Sequence, residues 1–307
     1  MRSVRYKAAP WAVLLWYNKI TAERCLAATY TMYYKSLCPT FQGFQKTKNT
    51  PRPPPPLDTR YSVGLSAVVF CYNRVMDTAD LDIVYFVKEG AHNEELRYSL
   101  RSVSTNMPHK RVWIFGGCPL NIVPDVRVRV AQTGRTKWDK VHNMYKMVCE
   151  NKEITDNFIM FHDDFFVMKP TDRIIPLYRC TLDEHIKILE PQGPTAYSKL
   201  LRGCRDAIKG DVALSYELHT PFVFNKKWLL NVLDTFPDCH AIRTIYGNLY
   251  YAGQSERSND PKIFDSKPTF DYKNSRFLST DDPVVNVNND IWRWLQKQFP
   301  KKSEFEI

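Results

Sequence analysis

The chain has 307 residues, a hydrophobic content of 44%, and 43 Lys and Arg against 33 Asp and Glu, for a net charge of +10. This length and apolar share suit a globular protein with one large core plus appendages, and no apolar run approaches the ~20 residues of a membrane-spanning helix. The positive excess favours a phosphate-bearing or polyanionic partner, whether a nucleotide, a nucleic acid or an anionic membrane surface, without choosing among them.

Residues 1–60 form a basic, aromatic arm that ends in "KTKNTPRPPPPLDTR", where the proline run predicts an extended polyproline spacer. "APWAVLLWY" behind Arg2, Arg5 and Lys7 imitates the start of an export signal, but it runs into "NKITAERC" with no small-residue cleavage site. The eight cysteines are scattered, with no Cys-x-x-Cys pair and no Cys/His spacing of the zinc type. Together these features predict reduced thiols and a cytoplasmic protein, soluble or peripheral to a membrane. Residues 61–307 are expected to form a single domain.

"LDIVYFV" (81–87) reads as a buried strand, and "HNEELRYSLRSVSTN" as a helix capped by Asn93, with Leu96, Leu100 and Val103 on one face. "RVWIFGG" (111–117) predicts a second strand stopping at glycines, and "VRVRV" (126–130) a third. "WDKVHNMYKMVCEN" predicts a second helix, with Val141, Met144, Tyr145 and Val148 on one face, and a further strand follows in "NFIMFHDDFFVM". This alternation is that of an α/β domain with a mostly parallel sheet and flanking helices.

Asp163 and Asp164 stand directly after the apolar run "FIMF". Ionised carboxylates are costly to bury without a partner, so the pair belongs at the mouth of a buried strand, facing a metal, a cationic side chain or a ligand. Ligands of open α/β sheets bind at this end of the strands. The alternative is a turn with capping carboxylates.

Arg97 and Arg101, at i and i+4, either present two guanidinium forks to phosphate or form a solvated helix face. Arg135, Lys137 and Lys140 precede or open a helix, whose free N–H groups favour an anion. His219 in "HTPF" is a general base, a phosphate ligand or a structural histidine, and His162 an orienting or core residue. Asp281 and Asp282 in "STDDP" form a second acidic pair or a helix-start signal. No phosphate-loop, dinucleotide-binding or Gly-x-Ser-x-Gly motif is present.

The order "DIVYFV", "EELRYSLRSV", "RVWIFGG", "FIMFHDDFFVMKP" resembles the first half of the Stealth family, which comprises bacterial capsular polysaccharide sugar-phosphate transferases and lysosomal-enzyme GlcNAc-1-phosphotransferases. "LHTPFVFNKKWLLNVLDTFP" (218–237) is similar to that family's His-Xaa-Pro region, and "FLSTDDPVVNVNNDIWRWLQKQFPKKSEFE" (277–306) to its C-terminal region. The correspondence covers roughly residues 81–306. The chain departs from the family at "YFVKEGAHNEE", where a Thr-Trp-Val strand end and an Asn-Gly-x-Asp turn are usual, and its segment before the acid pair is compact. It looks like a short, divergent member of a kind associated with bacterial prophages.

The resemblance implies a GT-A-like nucleotide-diphospho-sugar transferase fold and transfer of hexose 1-phosphate from a UDP-sugar-type donor to a glycan or other hydroxyl acceptor. It implies Mg2+ or Mn2+ held by Asp163 and Asp164, catalytic roles for Asp163, Asp164 and His219, and substrate contacts from Arg243, Asp281 and Asp282, to which the charge and spacing noted above add Arg97, Arg101 and Lys137 as expected substrate contacts. Two alternatives stand beside it. One is a metal-dependent glycosyltransferase that releases UDP, acting on a wall polymer or phage nucleic acid. The other is a non-catalytic nucleic-acid-binding protein using Arg2, Arg5, Lys7, Lys46, Lys48 and Arg52.

Overall fold

Strand β1 (Asp82–Val87) is buried at every position, as expected of a strand covered on both faces, and its apolar run carries no alternation. It pairs in parallel with β2 (Val112–Gly116) on one side and β4 (Asn157–Phe161) on the other, with Ile83 opposite both Val112 and Ile159. The computed structural model describes residues 76–90, 92–131, 136–208, 212–264 and 267–307. The basic arm, the proline spacer, the boundary near residue 60 and Arg135 lie outside them.

β3 (Val126–Val128) and β7 (Phe222–Asn225) complete a five-stranded sheet of order β3-β2-β1-β4-β7, parallel except for β7, which runs antiparallel to β4. The protein is thus mixed α/β with a mainly parallel central sheet. At the amino ends of its strands, fully buried Asp82 accepts two bonds from Arg111 (3.1 and 3.0 Å) and one from the Thr155 amide (2.9 Å), pinning three strands together.

Alternate strand residues serve the two faces. Ile83, Tyr85, Ile114 and Phe161 pack with Leu96, Leu100 and Val103 of α1 (Glu94–Asn106). Val84, Phe115, Phe158 and Met160 pack with Met144, Tyr145 and Val148 of α2 (Lys137–Glu150). The same cluster takes in Leu182 and Ile186 of α3 (Leu182–Leu189), Leu201 of α4 (Ala196–Ala207), Leu229 of α5 (Lys226–Thr235) and Ile245 of α6 (Ile242–Tyr250). Truncating such a residue, Leu100→Ala for instance, costs about 2–5 kcal/mol.

"FIMFHDDFFVM" is not one strand. The chain turns at His162–Asp164, with the Phe165 amide bonded to the His162 carbonyl, and enters β5 (Phe165–Val167) of a second sheet. There β10 (Phe277–Thr280) lies between β5 and β9 (Lys262–Ile263), backed by Trp292 and Leu295 of α7 (Asp290–Gln298). A short parallel pair, β6 (Leu177–Tyr178) with β8 (Glu256–Arg257), completes the strands. No helix among the described residues is long and apolar enough to cross a membrane.

Candidate active site at the carboxyl ends of the sheet

The order β3-β2-β1-β4 reverses direction between β1 and β4, and the crevice at such a reversal, beyond the carboxyl ends, is where open α/β sheets hold ligands. Asp163 and Asp164 occupy the turn leaving β4, at the junction of the two sheets. Asp163 Oδ2 accepts 2.6 Å from Asn93 Nδ2. Loss of hydration raises the Asp163 pKa above the ordinary range, with Asn93 opposing and Asp164 adding to the shift.

Asp164 is held differently. Its Oδ2 accepts from Lys262 Nζ at 2.8 Å and from Ser279 Oγ at 2.7 Å, both on the second sheet. Burial alone would raise its pKa, but Lys262 first, then His162 and Ser279, hold it below the ordinary value. Two adjacent carboxylates therefore have opposite tendencies, a pattern that separates roles within catalytic sites.

Glu95, in the first turn of α1, adds a third acid. Thr280 Oγ1 donates to it at 2.9 Å, and burial, with Asp164, Asp163 and Asp282 contributing, raises its pKa to about 8. Asp282 opens a short turn directly after β10 and Asp281 is its N-cap, without a side-chain capping bond. No three His, Cys, Asp or Glu side chains among the described residues converge on one point at metal-ligand spacing. Asp164, expected beside Asp163 as a metal ligand, is instead bridged to Lys262, and the oxygen donors that could hold a hard divalent cation are those of Asp163 and Glu95. Such ions commonly use one or two carboxylates and complete their shell with substrate phosphate and water.

His219 lies just before β7, with its side chain 37% exposed. Its Nδ1 is 3.0 Å from both oxygens of Asp260, which also accepts from the His219 amide at 3.0 Å and from Arg179 Nη2 at 2.9 Å. Burial would raise the Asp260 pKa, but His219 and Arg179 hold it below its ordinary value, so it stays ionised and can only accept. Nδ1 therefore carries the proton, and Nε2 is left as the basic nitrogen. The ring packs edge-on against Phe165 and the exposed Phe264, with centroids 6.3 and 6.2 Å away. Neighbouring His162 packs against Phe165, and loss of hydration lowers its pKa to about 4, keeping it neutral.

Across the crevice, a cavity of about 370 Å³ opens at the ends of β1, β2 and β3, lined by Glu89, Gly90, Gly116, Gly117, Arg127 and Arg129 among others. Gly116 adopts φ 103°, and a Cβ on Gly117 would lie 2.4 Å from the Lys88 carbonyl oxygen. The two glycines let the end of β2 pass against that of β1, leaving a recess beside two exposed arginines. A larger groove of about 840 Å³, lined by Ser104, His109, Asp125, Asp172 and Glu304, contains neither the acid pair nor His219.

No protein-family model and no curated protein sequence matches the chain. Among solved structures, the galactosyltransferase LgtC in complex with donor and acceptor sugar analogues aligns over 73% of this chain and 98% of its own, at 11% identity and a TM-score of 0.41. The glycosyltransferase GlyE of Streptococcus pneumoniae aligns over 73% of this chain and 61% of its own, at 9% identity and a TM-score of 0.36.

The remaining sequence-predicted residues divide. Arg101 is not open to phosphate: it is buried in a two-pronged bond to Glu306 (2.6 and 2.7 Å) and donates to the Phe299 carbonyl at 3.1 Å, fastening the C-terminal segment to α1. Arg97 instead pairs with Glu94 one turn back. Arg243 is also buried, donating to the Leu218 and Thr220 carbonyls at 2.6 and 2.8 Å. Its guanidinium brackets His219 from behind rather than facing phosphate. Lys137 is exposed at the start of α2, its Nζ 4.4 Å from the Trp138 ring centre, after a Thr136–Asp139 capping box.

Glu95, Lys262, Ser279 and Asp260 are site residues that the sequence reading missed. Glu95 reads as an ordinary first-turn acid, and "NDPK", which holds Asp260 and Lys262, reads as turn chemistry. Only the pairing of β9 with β10 brings Lys262 under Asp164.

Proposed function

We propose that the protein is a nucleotide-sugar-dependent transferase that moves hexose 1-phosphate from a UDP-sugar-type donor to a hydroxyl of a glycan or similar acceptor. The observation that carries this reading is the acid pair at the reversal crevice, with Asp164 bridged to Lys262, beside a His219 oriented by Asp260. The resemblance to Stealth sequences supports the same chemistry.

In this reading the recess beside Gly116 and Gly117 receives the nucleoside, and Arg127 and Arg129 lie close enough to its rim to attract the diphosphate. His219 Nε2 accepts the proton of the attacking hydroxyl, and Asp260 stabilises the imidazolium that forms. The acceptor oxygen forms a bond to the donor's β-phosphorus as the bond from that phosphorus to the bridging oxygen breaks, and UMP leaves. Lys262 keeps Asp164 ionised and adds positive charge beside the phosphates. Mg2+ or Mn2+, held by Asp163 and Glu95, would neutralise the diphosphate and the charge developing on it.

Direct glycosyl transfer from the same donor would instead break the anomeric bond and release UDP. Incubating the protein with a panel of UDP-sugars and Mg2+ or Mn2+, and resolving nucleoside monophosphate from diphosphate, tests both. UMP is expected. UDP would move the reaction to glycosyl transfer, and donor turnover that survives in both Asp163→Asn and Asp164→Asn would overturn the site.

A further inference from the structure

Cys204 and Cys239 bring their sulfurs within 2.9 Å of each other in the interior, outside the acid and histidine cluster. Cys204 lies in the last turn of α4 and is 0% exposed, and Cys239, 7% exposed, lies in the turn between α5 and α6. A disulfide holds its sulfurs at ~2.05 Å, closer than the two thiols stand. Cys118, by contrast, donates to a backbone carbonyl, that of Ile122. Sequence reading gives no hint of the pair, since the two cysteines share no motif and meet only because α4 packs beside the turn.

The position gives the contact a consequence. Cys239 is followed closely by Ala241, the N-cap of α6, and α6 carries the Arg243 side chain that grips the carbonyls on either side of His219. In that turn the Cys239 amide donates to the Phe236 carbonyl at 3.0 Å.

We propose that Cys204 and Cys239 form a reversible oxidation site, a dithiol that converts to a disulfide tying the end of α4 to the start of α6. The oxidant is a small-molecule disulfide. Thiolate Cys239, the more exposed of the two, attacks it to give a mixed disulfide and release one small thiol. Cys204 then attacks the Cys239 sulfur and expels the second, so that two protein thiols and one disulfide become one protein disulfide and two small thiols. The closed loop removes freedom from the unfolded chain, so the oxidised form unfolds at a higher temperature.

The test uses the full chain, incubated with oxidised glutathione or with dithiothreitol, then denatured in N-ethylmaleimide and mapped by peptide mass spectrometry. The expected result is a linked Cys204–Cys239 peptide pair that dithiothreitol abolishes, together with a thermal midpoint about 4 °C or more above the reduced form. Complete alkylation of both residues after oxidation, or linkage of either to a different cysteine, overturns the site. A linked pair with no rise in midpoint overturns the fastening of α6. None of these readouts depends on donor turnover.

Discussion

Asn93 joins helix α1 to the acid pair: its Oδ1 accepts from the Leu96 amide at 2.8 Å, while its Nδ2 donates to Asp163 Oδ2 at 2.6 Å. One side chain thus satisfies a free N–H of the first turn and fixes the orientation of a carboxylate seventy residues away. Substitution can separate the two functions. Asn93→Ala loses both, and should destabilise the fold by about 0.5–2 kcal/mol. Asn93→Asp keeps a capping oxygen but sets a second carboxylate against Asp163. Its denaturant midpoint should stay nearer to wild type, while donor turnover falls at least tenfold. Wild-type turnover in Asn93→Asp would remove the Asn93 bond from the site.

Asp260→Asn tests the orientation of His219. An amide can donate to Nδ1, which would draw the proton to Nε2 and leave no base facing the crevice. Turnover should drop by ~10²–10⁴, with donor affinity measured by calorimetry changed less than threefold. Equal losses in affinity and turnover would mean that Asp260 shapes the donor pocket instead.

Much of the central sheet is legible in the residues alone. β1, β2 and β4 announce themselves as unbroken apolar runs because both of their faces are covered, and α1 and α2 show their buried stripes at helical spacing. β3 is shorter than "VRVRV" suggests, since an edge strand needs pairing on one side only. The second sheet is not legible. β9 has two residues, and its place beside β10 is set by packing on α7 across a wide span of sequence. For the same reason Asp163, Asp164 and His219 stand out locally only as candidates, beside a capping-turn and a structural reading, whereas Lys262 and Asp260 do not stand out at all. Charge and helical spacing also suggest phosphate contacts for Arg101, yet its partner is Glu306 at the far end of the chain, a pairing that no local pattern encodes.

Arg101→Ala should therefore act on stability rather than on ligand binding. The Arg101–Glu306 side chains are 8% and 3% exposed, and breaking a buried pair by removing one partner costs about 3–5 kcal/mol. Chemical unfolding should show that loss, while the affinity of the remaining folded protein for UDP stays within twofold of wild type. A selective loss of UDP affinity at unchanged stability would return Arg101 to the donor site.

Gly117→Ala probes the recess. The added methyl meets the Lys88 carbonyl oxygen at 2.4 Å and the Glu89 Cα at 2.6 Å, both backbone atoms that cannot swing aside. Relief requires the end of β1 to move, at a cost of ~1–3 kcal/mol, and that movement distorts the cavity shared with Arg127 and Arg129. UDP affinity should fall at least tenfold in calorimetry. An unchanged affinity would place the nucleoside elsewhere along the crevice.

Glu95 makes the site's stability depend on pH in a defined direction. Burial, reinforced by Asp164, Asp163 and Asp282, raises its pKa in the folded protein to about 8 from 4.5. The folded state therefore binds this proton more tightly than the unfolded chain does. Its contribution is fully present below about pH 4.5 and is lost as pH rises through about 8. Glu95→Gln mimics the protonated form and should flatten that part of the profile, so that the variant gains on wild type in urea unfolding between pH 5 and pH 8.5. The comparison must be made as a difference, because Asp163 and Glu217 shift upward too while Asp164, Asp260 and Glu306 shift downward. A cation bound by ionised Glu95 and Asp163 reverses the sign of the effect. Millimolar Mg2+ should raise the wild-type thermal midpoint more at pH 8.5 than at pH 5, and the increment should shrink in Glu95→Gln. If the Mg2+ increment is the same at both pH values and in the variant, Glu95 is not among the cation's ligands.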